Sequence, residues 1–197
     1  MQAMRLRVVM LAMTVLLLLA VVPDACGQNV IANSQFDANI GGWASYPAIT
    51  GGGATRLADD GTPTSGCLSL LNPGACDCSA FTTYCASVTP GTPYLFRYFI
   101  KHPAGQHMYW TTWTSVNWFA NSGCTGNVGT PFFENIPNDL ATDVWTERDL
   151  GSAVSPANAY SALVTFYIEN TGGSGISFLY DDVELINDRL FESDFDS

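Results

Sequence analysis

Short stretches of alternating apolar and polar residues recur along the chain. In residues 94–101 every second side chain is large and apolar: Tyr94, Phe96, Tyr98 and Ile100. The same alternation returns in residues 162–169: Ala162, Val164, Phe166 and Ile168. A period of two is the period of a β-strand, and no long stretch has apolar residues at helical spacing. The pattern therefore predicts an all-β protein.

Further strands are expected between clusters of Gly, Pro, Asn and Asp, which are the residues of turns. They are predicted at residues 67–71, 78–88, 107–120 and 176–186, with edge strands near 30–31 and at 145–150. Eight or more short strands of this kind predict a two-sheet antiparallel β-sandwich of jelly-roll type. Trp43 and Trp145 are assigned to its core.

The two ends of the chain depart from this pattern. Arg5 and Arg7 precede fifteen apolar residues, and small residues stand at Ala25 and Gly27, so residues 1–27 are predicted to be a signal peptide cleaved after Gly27. The alternative, in which Cys26 becomes a lipidated N-terminus, lacks the usual Leu three residues before it. Residues 28–186 then form one domain, and residues 187–197 form a charged C-terminal tail that resembles an ending of exported bacterial proteins. We expect a secreted or cell-surface bacterial protein.

Charge restricts the partners of such a domain. The chain has 18 acidic and 7 basic residues, and cleavage removes Asp24, Arg5 and Arg7, leaving a net charge of about −12. Such a surface repels phosphate backbones and anionic membranes, so nucleic acid is not an expected partner. No second long apolar run follows the leader, so no membrane span is expected in the mature chain.

Five cysteines remain after cleavage: Cys67, Cys76, Cys78, Cys85 and Cys124. In an exported chain these are expected to form disulfides, with one left over because the number is odd. A zinc site is less favoured, since no second Cys or His pair stands at ligand spacing. If the strands around Cys67 and Cys85 pair antiparallel, those two could form one bridge, and Cys124 could pair with Cys76 or Cys78.

Three segments stand in a characteristic order along the chain: NVIANSQFD at 29–37 with the following Gly-Gly-Trp at 41–43, VTPGTPYLF at 88–96, and FLYDDVEL at 178–185. Together they resemble carbohydrate-binding module families four, nine and twenty-two. The resemblance spans almost the whole predicted domain and implies a galactose-binding-like jelly roll. It also implies a secreted, non-catalytic protein that recognises a neutral oligo- or polysaccharide.

The same resemblance implies a structural calcium ion held by Asp37 and Asp181. Asp181 has the same parity as Val183 and Leu185, so it is expected to point inward, where an unpaired carboxylate would be costly. A calcium ion with oxygen ligands would offset that cost. The alternative is that Asp181 accepts backbone N–H groups at a strand end or lies at an exposed margin.

A sugar site needs flat aromatic rings beside polar groups that bond hydroxyls. The parity of the predicted strands turns several such residues outward. An aromatic platform is expected from two or three of Phe99, Trp110, Trp113 and Tyr167. Hydroxyl-binding partners are expected at Arg97, Asn117 and Glu169. For any one of these aromatics the competing interpretation is a core residue.

Catalysis is not predicted. The run Gly172-Gly173-Ser174-Gly175 does not complete a nucleophile elbow, and no acid–base constellation stands out among the many carboxylates. The alternative to sugar binding is an exported structural or protein-interaction jelly roll with a separate protein partner.

Overall fold

The computed structural model describes residues 27–47, 52–58, 66–74, 78–106, 110–171 and 174–187. This part of the chain contains eleven β-strands and no helix. The strands are β1 (Trp43–Tyr46), β2 (Gly53–Leu57), β3 (Cys67–Asn72), β4 (Cys78–Ser87), β5 (Pro93–Lys101), β6 (Trp110–Asn121), β7 (Thr125–Asn127), β8 (Phe132–Ile136), β9 (Thr146–Val154), β10 (Ser161–Asn170) and β11 (Ile176–Asn187).

The strands form two antiparallel sheets. Sheet I has the order β1-β4-β10-β6-β7, and β8 also pairs with β6. Sheet II has the order β2-β3-β11-β5-β9. Neighbouring strands are mostly distant in sequence, as in a jelly roll, and the predicted all-β sandwich is confirmed.

The inner faces of the two sheets form one aromatic-rich core. Phe166 of β10 stacks on Trp43 at 5.4 Å and on Tyr180 of β11 at 4.0 Å between ring centroids. Tyr98 of β5 meets Phe166 edge-on at 5.1 Å. The inward residues predicted for β5 and β10 are all buried, because alternation along each strand sends every second side chain into the space between the sheets.

Trp145 is not part of this core, which contradicts its assignment from sequence. It lies just before the edge strand β9 and is only half-buried. The ammonium group of Lys101 lies 5.0 Å from the centroid of its ring, and Lys101 itself is 8 % exposed. At the sheet edge this tryptophan covers a lysine instead of packing between the two sheets.

Four strands were not predicted from the sequence: β1, β2, β7 and β8. The last predicted strand ends at Asn187, where the tail was expected to begin. The predicted signal peptide, apart from Gly27, and the tail after Asn187 lie outside the described residues. Within the described residues no helix has the length and apolar character needed to cross a membrane.

A β-bulge interrupts β11 near its middle. Asp181 pairs with Phe99 and Glu184 pairs with Arg97, so three residues of β11 span the distance of two on β5. Asp182 has a positive φ of 45° at this point. The bulge breaks the alternation between Asp181 and Val183, so the parity argument made for Asp181 from Val183 does not hold. Asp181 is nevertheless fully buried.

The disulfide pairing differs from the expectation. Cys85 is bonded to Cys124, not to Cys67. Cys124 is therefore not bonded to Cys76 or Cys78. Cys78 is also disulfide-bonded, Cys67 is buried in β3, and Cys76 lies outside the described residues. The conditional pairing failed because β3 and β4 lie in different sheets, so the segments around Cys67 and Cys85 do not pair as neighbours.

Candidate functional site

The outer face of sheet I carries a row of aromatic side chains that crosses four strands. The register aligns Tyr46 of β1 with Phe81 of β4, Phe81 with Tyr167 of β10, and Tyr167 with Trp113 of β6. Tyr46 stacks on Phe81 at 4.7 Å between ring centroids, and Trp113 stacks on Tyr167 at 4.5 Å. We call Tyr46, Phe81, Tyr167 and Trp113 the aromatic row.

The aromatic row is open to solvent. Tyr46 is 47 % exposed, and the other three rings are partly buried against one another. Phe133 of β8 extends the row, lying 5.7 Å from Trp113 and 50 % exposed. Stacking covers one face of each ring and holds the ring in place, and the parts that stay exposed can contact a flat apolar surface.

Polar groups flank the row on the same face. Glu169 lies next along β10, and its carboxylate is 3.5 Å from the Tyr167 hydroxyl, which can donate to it. Asn135 of β8 is exposed and pairs in register with Trp113. Asn117 lies four residues beyond Trp113, and its amide donates to the Ser115 hydroxyl at 2.9 Å. The face thus combines apolar rings with amide and carboxylate groups.

A cavity of about 370 Å³ lies beside the aromatic row. Tyr46 and Phe81 line it on one side, and Cys85 and Cys124 line it on the other, with Thr83 between them. Its volume falls in the range of small-ligand sites. A bound molecule could therefore touch the rings and the disulfide at the same time.

The structure brings together part of the predicted ligand-binding set. Trp113, Asn117, Tyr167 and Glu169 all lie on the outer face of sheet I, because they share parity on β6 and β10 and these strands are neighbours. Trp110 does not lie there: it is 2 % exposed and packs on Phe178 at 4.8 Å in the core. The prediction that Trp110 faces outward is wrong, since it shares parity with the inward residues Val116 and Trp118.

Arg97 and Phe99 face outward as expected, but on the opposite side of the sandwich. They belong to sheet II and line a separate cavity of about 270 Å³ with Gln35, Glu147 and Glu184. Arg97 forms an ion pair with Glu184, and this hydrogen bond raises the pKa of the guanidinium group. A single platform that combines Phe99 with Trp113 and Tyr167 is therefore not formed.

Strand β8 is held to the rest of the molecule through its inward side chain. The Glu134 carboxylate pairs with Arg148 of β9, and it accepts a hydrogen bond from the Tyr98 hydroxyl at 3.3 Å. Tyr98 also lies 2.9 Å from the Thr114 hydroxyl, and burial raises the pKa of its phenol. These contacts join the two sheets beneath Phe133, so they position the ring that extends the aromatic row.

Sequence reasoning missed Tyr46, Phe81 and Phe133. Tyr46 and Phe133 lie on strands that were not predicted, and Phe81 lies on a predicted strand for which no outward residues were predicted. The Tyr-Pro at 46–47 and the Phe-Phe at 132–133 were the available signals. Neither signal indicates that these rings meet Trp113 and Tyr167, because that depends on which strands become neighbours.

Asp37 and Asp181, the calcium ligands implied by the sequence resemblance, lie in different surroundings. The Asp37 side chain is exposed, and the carbonyl groups of Phe36 and Asp37 accept hydrogen bonds from Arg56 at 2.6 and 2.5 Å. One carboxylate oxygen of Asp181 accepts the backbone N–H of Asp182 at 2.9 Å. In the part of the chain that is described, no group of three or more His, Cys, Asp or Glu side chains could hold a metal ion. The calcium ion stays a prediction from the sequence resemblance.

No protein-family profile matches the chain, and no curated protein matches it. Solved structures do match, and they show that the fold is the β-sandwich jelly roll of carbohydrate-binding modules, as the sequence resemblance predicted.

Three of these structures illustrate the match. The enzymatically active domain of bacteriophage CBA120 tailspike protein 4 has a TM-score of 0.61 and 19 % identity, over 80 % of this chain and 21 % of that one. A module pair from Clostridium thermocellum xylanase 10B, solved with xylohexaose, has a TM-score of 0.57 and 17 % identity, over 82 % of this chain and 29 % of that one. A family 61 carbohydrate-binding module, solved with β-1,4-galactotriose, has a TM-score of 0.55 and 12 % identity, over 81 % of this chain and 99 % of that one.

This chain therefore spans about a fifth of the tailspike domain and under a third of the xylanase module pair, but nearly the whole of the family 61 module. At these identities the likeness concerns the fold. Function has to be argued from the site itself.

Proposed function

We propose that this protein is a non-catalytic carbohydrate-binding protein that recognises a neutral oligo- or polysaccharide on the outer face of sheet I. The observation that carries the proposal is the aromatic row, which presents partly exposed rings from four adjacent strands. The jelly-roll likeness to modules solved with xylohexaose and with β-1,4-galactotriose supports the same ligand class.

The physical basis is the match between a sugar ring and this surface. A pyranose presents a flat face of C–H groups, which packs on an aromatic ring, and a rim of hydroxyls, which needs amide or carboxylate partners. The stacked pair Trp113 and Tyr167 supplies the aromatic surface. Glu169, Asn117 and Asn135 supply the carboxylate and amide partners for the hydroxyls. The net charge of −11 disfavours anionic chains, so a neutral chain is the better fit.

A binding role without catalysis also fits the flanking carboxylates. Glycoside hydrolysis requires two carboxyl groups on either side of the scissile bond. Glu169 stands beside the stacked pair, and the polar groups offered nearby by Asn117 and Asn135 are amides, which cannot act as general acids. Export by the segment 1–27 would deliver the domain to polysaccharides outside the cell.

The test is binding of the purified chain to a panel of neutral polysaccharides, followed by titration calorimetry with xylohexaose and with β-1,4-galactotriose. Trp113→Ala should weaken binding by about 1–3 kcal/mol, or roughly 5- to 150-fold, because it removes one ring and the support of its neighbour.

Two matched controls locate the site. Tyr160→Ala removes a tyrosine that is 55 % exposed but does not belong to the aromatic row, and Phe99→Ala removes a ring on sheet II. Both variants should bind like the wild type. Equal loss in Phe99→Ala and Trp113→Ala would contradict the assignment to sheet I. Absence of binding to every glycan would favour the alternative of an exported structural or protein-interaction domain.

A further inference from the structure

The Cys85–Cys124 disulfide crosses strand β10, which contains neither of the two cysteines. Cys85 lies on β4 and Cys124 lies in the turn between β6 and β7, while β10 separates β4 from β6 in the sheet. The turn therefore folds back over the outer face of β10. Gly123 and Cys124 both have positive φ, of 80° and 57°, which gives the turn the sharp reversal that this crossing requires.

Hydrogen bonds to β10 also hold this turn. The Ser161 hydroxyl of β10 accepts the backbone N–H of Cys124 at 3.1 Å and donates to the carbonyl of Asn121 at 2.6 Å. Ser161 is 1 % exposed because the turn covers it. The turn is thus an ordered part of the outer face and stands above the sheet.

Small side chains separate this turn from the aromatic row. Thr83, Thr165 and Ser115 align in register across β4, β10 and β6, one step along the strands from Phe81, Tyr167 and Trp113. On β4, Phe81 and Cys85 are four residues apart, about 13 Å at 3.3 Å per residue. We call the cavity of about 370 Å³ the trough: Ala44, Thr83 and Leu163 line its floor, and it lies between two rings of the aromatic row, Tyr46 and Phe81, and the disulfide.

We infer that the Cys85–Cys124 bridge is a specificity-determining wall of the glycan site, which admits an unbranched chain into the trough and excludes side branches on that flank. The inference rests on the proposed function and adds to it the form of the ligand. The 370 Å³ cavity carries it, because Tyr46 and Phe81 line one side of that cavity and Gly123 with both half-cystines lines the other. A wall that cannot yield rejects a substituent by steric clash.

The disulfide also holds the turn in its binding conformation before a ligand binds. Without it, the turn would be held by Ser161 and by the pairing of β6 with β7, and we expect part of its order to be gained only on binding. Ordering a side chain or loop segment weakens affinity by roughly two- to tenfold. Removing the bridge should therefore weaken binding of unbranched chains and reduce the penalty for branched ones.

The test compares the wild type with the double variant C85A/C124A on an array of unbranched neutral glycans and their branched counterparts, read at low temperature under non-reducing conditions. The expected result is a preference for unbranched chains in the wild type that falls at least about fivefold in the variant. A wild type that binds glycans with the same preference as C85A/C124A would overturn the inference while leaving the proposed function intact. A wild type that binds no glycan would overturn both.

A second variant keeps the inference testable if C85A/C124A does not fold. Ala44 lines the same cavity from the exposed strand β1, and Ala44→Trp would fill the trough while leaving the core residues and the disulfide bond itself unchanged. It should abolish binding of unbranched chains, whereas Val154→Trp, at a site 65 % exposed on β9, should not. Unchanged binding in Ala44→Trp would exclude the trough as the ligand path.

Discussion

The contribution of the Cys85–Cys124 bridge to stability can be worked out from the length of chain that it closes. The two cysteines are 39 residues apart in sequence. In the chain-entropy account a disulfide stabilises by restricting the unfolded chain, and a loop of this length corresponds to about 4 kcal/mol at 25 °C. Cys85 is exposed and Cys124 partly buried, so their replacement by alanine leaves no large cavity. We therefore expect C85A/C124A to lose about 4 kcal/mol of the free energy of unfolding.

Urea denaturation of the wild type and C85A/C124A, without reductant, measures this difference directly. The variant should show a lower midpoint and a slightly steeper denaturant dependence, because its unfolded state is less compact. As a control, reductant should not lower the midpoint of the variant by as much as it lowers that of the wild type. A loss of less than about 1 kcal/mol would refute the entropic reasoning and would mean that the unfolded chain stays compact around the missing bridge.

Four further predictions concern the core, the bulge, the N-terminal segment and the calcium ion. Phe166→Ala should cost about 3–5 kcal/mol in denaturant unfolding, since Phe166 is fully buried between Trp43 and Tyr180; a loss below 2 kcal/mol would contradict the stacked core. Burial raises the pKa of the Asp182 carboxyl, so the ionised form costs stability at neutral pH and the cost disappears as pH falls through that raised pKa. Asparagine also tolerates positive φ, so the Asp182→Asn variant should have a higher melting temperature than the wild type at pH 7. This difference in melting temperature should vanish below about pH 4, and a pH-independent difference would contradict the prediction. Arg56→Ala should lower stability by about 1–2 kcal/mol through loss of the bonds to Phe36 and Asp37, which a melting comparison with Arg56→Lys would measure. EDTA in the same wild-type melts tests the calcium ion: a lower melting temperature would support it, and an unchanged one would count against it.

Much of the fold followed from the sequence because alternation is a local property. The inward positions of β5 and β10 were predicted correctly, since each strand must turn its apolar side to the core whatever its neighbours are. The same argument correctly predicted that Trp113, Asn117 and Tyr167 point outward. It failed where the local pattern was disturbed. The bulge at Asp182 broke the parity assigned to Asp181. The outward assignment of Trp110 was a different error, because its parity with Val116 and Trp118 already turns it toward the core.

The sequence by itself determined the all-β class, the sandwich, and the outward direction of most candidate ligand-binding residues. Only the tertiary structure decided which of those residues share a face. The alternation along each strand predicts that Phe99 and Tyr167 both point away from the core. It does not predict that β5 lies in sheet II and β10 in sheet I. Likewise, nothing local joins Tyr46 to Phe81 or Cys85 to Cys124. These pairs depend on strand order, which is set by long-range contacts between strands far apart along the chain, and no window of neighbouring residues contains that information.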